Sequence, residues 1–543
     1  MCGATCWRCT SSGRSEIQAS LRPARSLLAI AGLALAGLAW FDLGPALAFN
    51  DDWVYSWSAR HFSLTHFQLY PKQSALAMVQ VGWGYLASAG GGDQRALRLS
   101  LLPFVLLAAW SCYRLARQLG ADGYWSVAAG VTLLATPLFM TLSTSFMSDV
   151  PYVALLLGAA TAMISWASGE GGRGIPILAL LATLAAVLQR QVGLLIPFAI
   201  IPVLVLARVP RTRSRGSFAF MILLLVAAMS GIVVPAVLHM APAAQSNRLA
   251  TVSGLDLGAA VRALVTAPMM IGLCLVPFAG ALLGRRPGAV RHPRLPLVLA
   301  GVGVLLLVVQ LLVQDGRFFP GNVFTPEGFT PELNKGQAVP WAIGYATEGS
   351  LACAAFAGMA FAAGRQRAGG WSSWRGALLV ALSLSQLLPL MLIPTGLFDR
   401  YYLAVAVPLI PLAAALASSQ GGRRTVASAW AVTSLLLGVG VYFAEQQDYG
   451  AWQSARDQAA HLAYQLALPA QVQAGYEANA TYWELPVFDA TGHYPGTAGR
   501  LDDRLVTGPI QPTYHLVTVP LDDPRPGVPY SSLAPAKVVV VPQ

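Results

Sequence analysis

Charge is scarce in this chain. Only 11% of its 543 residues are charged, where a soluble domain has about 25%. That deficit excludes an ordinary soluble globule. Lysine is nearly absent, so the basic charge is almost all arginine. The net charge of +11 does not gather on one surface, because the arginines sit between apolar segments. This argues against nucleic acid as a partner and reads as a topology signal. Cysteine is confined to Cys2, Cys6, Cys9, Cys112, Cys274 and Cys353. The last three lie in apolar segments and read as small hydrophobes. The first three have no fourth ligand nearby, which favours a tail over a metal site. No cysteine follows Cys353, so no disulfide framework supports the C-terminal part. P-loop, G-x-S-x-G and H-E-x-x-H motifs are all missing, and the glycines at 90–92 follow no strand. A nucleotide-sugar donor or a nucleotide energy source would need such a site.

What the chain does have is apolar length. Hydrophobic residues make up 55% of it. Apolar segments long enough to cross a bilayer recur near 27–48, 97–118, 124–143, 150–167, 175–190, 192–208, 217–240, 264–283, 295–314, 346–364, 376–396, 401–418 and 425–443. The fold class expected is therefore an α-helical integral membrane protein of about thirteen spans. With the N-terminus in the cytoplasm, the inner connections carry Arg114/Arg117, Arg173, Arg208/Arg211/Arg213/Arg215, Arg285/Arg286/Arg291/Arg294, Arg365/Arg367/Arg375 and Arg423/Arg424. The outer connections carry few, as the positive-inside rule requires. Residues 1–26 then form a cytoplasmic tail, 27–443 the membrane domain, and 444–543 a small α/β domain outside the cytoplasmic membrane. Ala46-Leu47-Ala48 has the form of a cleavage site, but the apolar run before it is too long for a signal peptide, which favours an uncleaved anchor. In the last part, Ala480–Trp483 and Val538–Val541 suit strands, Ser454–Leu466 suits a helix, and Asn479-Ala480-Thr481 fits a glycosylation sequon.

The outer loop 49–95 opens on Asn50-Asp51-Asp52. Carboxylates at a membrane exit are costly and point to function. One of these side chains suits a helix N-cap, which leaves the others unexplained. Trp53, Trp57, His61 and Phe62 follow on one helical face, as in an interfacial amphipathic helix. Lys72, Asp149, Arg190 and the Asp399-Arg400-Tyr401-Tyr402 cluster reach the same outer surface on this topology. Each has a plainer reading. Lys72 can snorkel to headgroups, Ser148-Asp149-Val150-Pro151 looks like a helix start, and Asp399 can pair Arg400 locally. Arg190 is harder to explain, lying between two apolar segments on the side where arginine is disfavoured.

Together these groups suit transfer from a phosphate-linked lipid. A carboxylate can deprotonate or orient an acceptor. Arginine and lysine can hold a phosphodiester and stabilise charge on the leaving phosphate. Two adjacent carboxylates, Asp51 and Asp52, also suit a divalent cation such as magnesium or manganese. The competing class is a transporter or flippase of a lipid-linked glycan. Such proteins often carry internal repeats and midplane charges. No clear repeat is present here, and the charges sit at one face.

The arrangement resembles the polytopic glycosyltransferases that use polyprenyl-phosphate sugars, the GT-C type. That group includes protein O-mannosyltransferases and the aminoarabinose transferases of lipid A. Asp51-Asp52-x-x-Tyr55 is similar to the family's acidic motif in the first outer loop. Tyr70-Pro71-Lys72-Gln73-Ser74-Ala75 stands where the family has a Lys-Pro-Pro variant, here with the lysine–proline order lost. Arg98-Leu99-Ser100 and Tyr113–Gly120 resemble the second span and its turn, Met147–Pro151 the acidic position before the fourth, and Asp399–Leu403 a late motif. The likeness in layout runs from Leu27 to Ser418. The resemblance implies an inverting transfer to an extracytoplasmic acceptor: a protein, a lipid or a cell-envelope glycan. It implies Asp51 as catalytic base, and Asp52 and Asp149 as acceptor- or cation-positioning acids. Lys72, Arg190 and Arg400 would hold the donor phosphate, with Tyr55, Asp399 and Tyr401 at the acceptor or lid side. Membrane lipids and a polyprenyl-phosphate-linked sugar are the implied partners.

Overall fold

Long apolar stretches leave backbone amides and carbonyls with no water to bond, and helices satisfy them internally. The computed structural model is accordingly mostly helical. It describes residues 51–62, 69–70, 73, 75–88, 92–170, 172–237, 257–282, 374–392, 398–419, 424–474, 476–491, 513–530 and 536–542, with isolated helical positions between 28 and 37 and between 301 and 359. In chain order the helices are α1 (Asp52–Arg60), α2 (Met78–Ala87), α3 (Gln94–Leu99), α4 (Leu102–Gln118), α5 (Gly123–Ala135), α6 (Pro137–Ser143), α7 (Asp149–Ser168) and α8 (Ile175–Gln189). Then come α9 (Leu195–Leu206), α10 (Arg215–Val237), α11 (Leu257–Leu282), α12 (Trp374–Leu392), α13 (Leu403–Ala406), α14 (Leu409–Ser419) and α15 (Arg424–Leu466). Two short helices, α16 (Tyr476–Asn479) and α17 (Leu485–Thr491), follow.

Among the described residues, six helices are long and apolar enough to cross a membrane, or eight if each of two bent pairs is one span. The thirteen expected spans are not all met. Those near 27–48, 295–314 and 346–364 lie mostly outside the described residues. Those near 175–190 and 192–208 appear as shorter apolar helices. The 15 residues of α8 reach only about 22 Å, short of a hydrocarbon core of about 30 Å. The bent pairs have local causes. Pro137 opens α6 without an amide to donate, and the chain turns 60° between α5 and α6. Pro408 accompanies the 49° bend between α13 and α14.

Helix α7 is apolar on every side and lies at the centre, with 94% of its span window buried. Helix α10 is the opposite case. It exposes Phe218, Ile222, Leu223, Val226, Met229, Ile232 and Val233, a face made for lipid. Helix α15 runs unbroken through Ala444, where the composition shifts, and includes the expected helix 454–466. A four-stranded sheet follows, ordered β1 (Val472–Gln473), β2 (Tyr514–Pro520), β4 (Ala536–Pro542), β3 (Gly527–Tyr530). Only β1 and β2 are parallel, and Val517 stands opposite Val539 in the β2–β4 register. The Trp452 indole on α15 donates to Thr518 Oγ1 at 3.1 Å and ties helix to sheet.

Two sequence expectations change here. Ala480–Trp483, expected as a strand, falls in a π-helical turn, Ala480–Glu484, between α16 and α17. The strand propensity of Thr, Tyr and Trp yields to packing, since Tyr482 uses its hydroxyl on Asp457. Asn479, expected as a glycosylation acceptor, is buried, and its Oδ1 accepts the Ala474 amide at 2.9 Å.

Close helix contact in the bundle depends on small residues. A methyl placed on Gly130 of α5 would sit 2.9 Å from the Ala109 carbonyl oxygen of α4. That clash is with backbone and outweighs the roughly 1 kcal/mol of helix propensity that Ala gains over Gly. Gly130→Val is expected to lower stability by about 1–3 kcal/mol, read as a lower thermal midpoint in detergent. An unchanged midpoint would show that α4 and α5 can part without cost.

Candidate active site

Asp51 occupies the N-cap position of α1, yet its side chain makes no capping bond. The capping account is therefore set aside for it. Its Oδ2 instead meets Arg400 Nη2 at 2.8 Å. Asp52, one residue on, points elsewhere, because successive helical positions do not share a face. Its Oδ2 accepts Arg98 Nε at 3.0 Å. Its Oδ1 takes Ser56 Oγ at 3.2 Å and the Gln94 amide. Asp52 is 0% exposed and Arg98 6%, so this is a buried ion pair behind the site. Asp51 keeps 24% exposure and can be reached.

A second pair lies beside the first. Asp149 starts α7, where the helix dipole favours an acid. Arg190 sits in the break between α8 and a 3-10 turn at Gln191–Leu194, in extended backbone. Its Nη1 lies 2.9 Å from Asp149 Oδ1, and its Nε donates to Ser148 Oγ at 3.1 Å. Ser148 Oγ in turn donates to the Tyr55 hydroxyl at 3.3 Å. The Asp149 carboxylate compensates the charge of the Arg190 guanidinium, which is only 13% exposed. The break is fixed from below: Gln189 Nε2 bonds Gln80 Oε1 at 2.9 Å and the Ser148 carbonyl at 3.2 Å.

Tyr401 joins the two pairs. The guanidinium of Arg190 lies 5.7 Å from its ring centroid and that of Arg400 5.4 Å. An aromatic face can hold two cations that would otherwise repel. Arg400 also lies over Phe398 at 5.3 Å. Asp399 does not hold the Arg400 side chain as weighed from the sequence. Its Oδ1 accepts the Arg400 backbone amide at 2.6 Å and starts the 3-10 turn, while the guanidinium crosses to Asp51. Both Asp149 oxygens and Arg400 Nε are buried without an aligned hydrogen bond among the described residues.

The structure thus brings together Asp51, Tyr55, Asp149, Arg190, Arg400 and Tyr401. It sets Asp52 apart with Arg98, and bonds the Asp399 carboxylate to the Arg400 amide. Lys72 lies outside the described residues. A divalent cation shared by Asp51 and Asp52 does not fit this arrangement, since the two carboxylates turn to different arginines. Among the described residues no group of three or more His, Cys, Asp or Glu side chains gathers. Arg98 and Ser148 had no role in the sequence reading. A buried second acid needs a cation, and Arg98, an arginine near the outer side, was the available signal.

The aromatic face of α1 also differs from expectation. Trp53 and Trp57 are not turned to lipid but are buried at 2% and 4% exposure against Tyr70. An apolar helical face looks the same in sequence whether it meets lipid or protein.

Neither family models nor curated proteins match the sequence. Solved structures do align with it. ArnT from Cupriavidus metallidurans bound to undecaprenyl phosphate covers 94% of this chain and 97% of its own, at 17% identity and a TM-score of 0.43. The same protein in the apo state covers 93% and 96%, at 16% identity and 0.41. The Archaeoglobus fulgidus oligosaccharyltransferase in the apo form covers 76% of this chain but 56% of its own, at 14% identity and 0.32. The side chains above, and not these likenesses, carry the functional reading.

Removing one member of the rear pair strands the other. Arg98→Ala is expected to destabilise the protein by about 3–5 kcal/mol. The double change Asp52→Asn with Arg98→Gln should recover part of that loss, because no charge is left unpaired. Thermal unfolding of the wild type and the two variants in detergent checks this, and a double variant no more stable than Arg98→Ala would show that the pair is not coupled.

Proposed function

We propose that this chain is a membrane glycosyltransferase that moves a sugar from a polyprenyl-phosphate donor to an acceptor outside the cytoplasmic membrane, with inversion at the anomeric carbon. The observation that carries the reading is the pairing of Asp51 with Arg400 and Asp149 with Arg190 around one tyrosine ring. These are the reagents such a transfer needs: an accessible carboxylate and two guanidinium groups beside it. The arginine distribution between spans supports a site on the non-cytoplasmic side. A lipid-borne donor suits a site at the ends of apolar helices.

The step runs as follows. The donor phosphate engages Arg400 and Arg190, and its negative charge competes with Asp51 for the Arg400 guanidinium. Asp51, released from its partner, accepts the proton of the acceptor hydroxyl or amine. The acceptor atom bonds to the anomeric carbon as the bond from that carbon to the phosphate oxygen breaks. The electron pair leaves with the polyprenyl phosphate, whose growing charge the arginines offset. Asp149 orients the acceptor and keeps Arg190 in line. Tyr55, bonded through Ser148 to the same group, lines the acceptor side. Nothing in this scheme selects the sugar, and hexosyl and pentosyl donors meet it equally.

The test is donor turnover by the detergent-purified protein with a panel of labelled polyprenyl-phosphate sugars. Asp51→Asn and Asp51→Ala are expected to cut turnover by about 10²–10⁴-fold, the usual worth of a general base, with expression intact. Arg400→Gln should raise the donor KM and lower kcat together. Wild-type turnover in Asp51→Asn would remove the reading. Failure of every donor, with movement of a lipid-linked glycan across liposomes, would replace it with a transporter.

A further inference from the structure

We propose that the C-terminal segment Tyr476–Thr491 positions the acid-bearing helix α1, and that Glu484 is its positioning residue, acting through Tyr70. The catalytic scheme leaves Glu484 unused, yet it is a carboxylate with 2% exposure. Burial of such a group is costly unless it is bonded. The Tyr70 hydroxyl donates to Glu484 Oε1 at 2.7 Å across 414 residues of sequence.

Tyr70 is itself fully buried and is the pivot of a small separate core. Trp53 and Trp57 of α1 both meet its ring edge-on, with centroids 5.2 Å away. Leu485, next to Glu484, packs on the same cluster. The Tyr70 amide donates to Ser58 Oγ at 3.0 Å, so the loop also grips α1 by its backbone. One helical turn beyond Glu484, Asp489 Oδ1 accepts the Trp57 indole N–H at 2.6 Å and lies 3.8 Å from His61 Nε2. Two acids of one segment therefore hold two aromatic donors on one face of α1 and its loop.

The segment has its own anchor. The Tyr482 hydroxyl donates to Asp457 and meets His461 Nε2 at 3.2 Å, both on α15. Contact thus runs from the last long helix through Tyr476–Thr491 to the helix that begins beside Asp51. A nine-residue helix has too few internal bonds to fix its own direction. Its bundle side is held by Asp51–Arg400 and Asp52–Arg98, and its outer side by this segment. A shift of about 1 Å in a reacting group can cost about 10²-fold in rate, so the outer clamp bears on turnover although it touches no reacting atom.

The activity arm of the test rests on the transferase reading, and the exchange arm does not. The full-length chain is compared with Glu484→Ala, Glu484→Gln and Tyr70→Phe by amide hydrogen exchange over residues 52–60 and by donor turnover. Glu484→Ala is expected to speed exchange of that helix by about tenfold or more. It should lower kcat by about 10–100-fold with little change in donor KM. Glu484→Gln, which still accepts from Tyr70, should restore both. Tyr70→Phe keeps the ring stack and deletes the hydrogen bond, so it should act like Glu484→Ala and replaces it if that variant does not fold. Unchanged exchange overturns the proposal, as does faster exchange with unchanged kcat. If the wild type turns over no donor, the transferase reading falls. The exchange arm then decides the docking alone, unchanged exchange overturning it and faster exchange reversed by Glu484→Gln upholding it.

Discussion

The contact between Asp51 and Arg400 is the constraint on which the rest of the site depends. It joins helix α1 to the start of a bent span 349 residues later. Neither charge is tolerable alone at the edge of an apolar bundle. An arginine at 4% exposure must be met by an anion. The same logic places Asp149 against Arg190 and Asp52 against Arg98. Asp51–Arg400 and Asp52–Arg98 link elements that no short loop connects, and Asp149–Arg190 closes the α7–α8 hairpin at the end away from its loop. Small residues set how closely helices approach in lipid, but they do not say which helix ends meet. Paired charges do.

Pairing also bears on the chemistry. A carboxylate held by a guanidinium is a weaker base than a released one. A donor phosphate presents stronger charge-assisted bonds to the same guanidinium. On the proposed reading, exchange of partners at Arg400 couples donor binding to release of Asp51. The Tyr401 ring faces both cations, at 5.4 and 5.7 Å. Asp52, fully buried and paired with Arg98, holds the start of α1.

Much of this was legible in residue types and their order along the chain. Hydropathy located the helices, and arginine between spans suggested one face for Asp51, Asp149, Arg190 and Arg400. The pairing scheme was not legible. Asp51 and Asp52 read as one acidic unit, but adjacent positions at a helix start look in different directions. Asp399 and Arg400 read as a local pair, but a residue opening a 3-10 turn is drawn to the free amides there. The strand expected at 480–483 rested on β propensity, which reports how a side chain fits its surroundings rather than a backbone preference. The bends within the spans at 124–143 and 401–418 were not legible either, because proline turns an apolar run with little change in hydropathy.

The two faces of α1 explain why so polar a motif is followed by tryptophan. Asp51, Asp52 and Tyr55 turn toward the charged partners, while Trp53 and Trp57 turn toward Tyr70. An aromatic face gives large contact area for few frozen torsions. An indole N–H adds a directional bond, used here on Asp489. A helix placed between an ionic face and an aromatic face has its rotation fixed about its own axis. Rotation by one residue would carry Asp51 away from Arg400 and expose Trp57 together. The direction of the first acid is thus set jointly by a charge on its own side and by rings on the other, which is how nine residues can hold a reactive carboxylate in place.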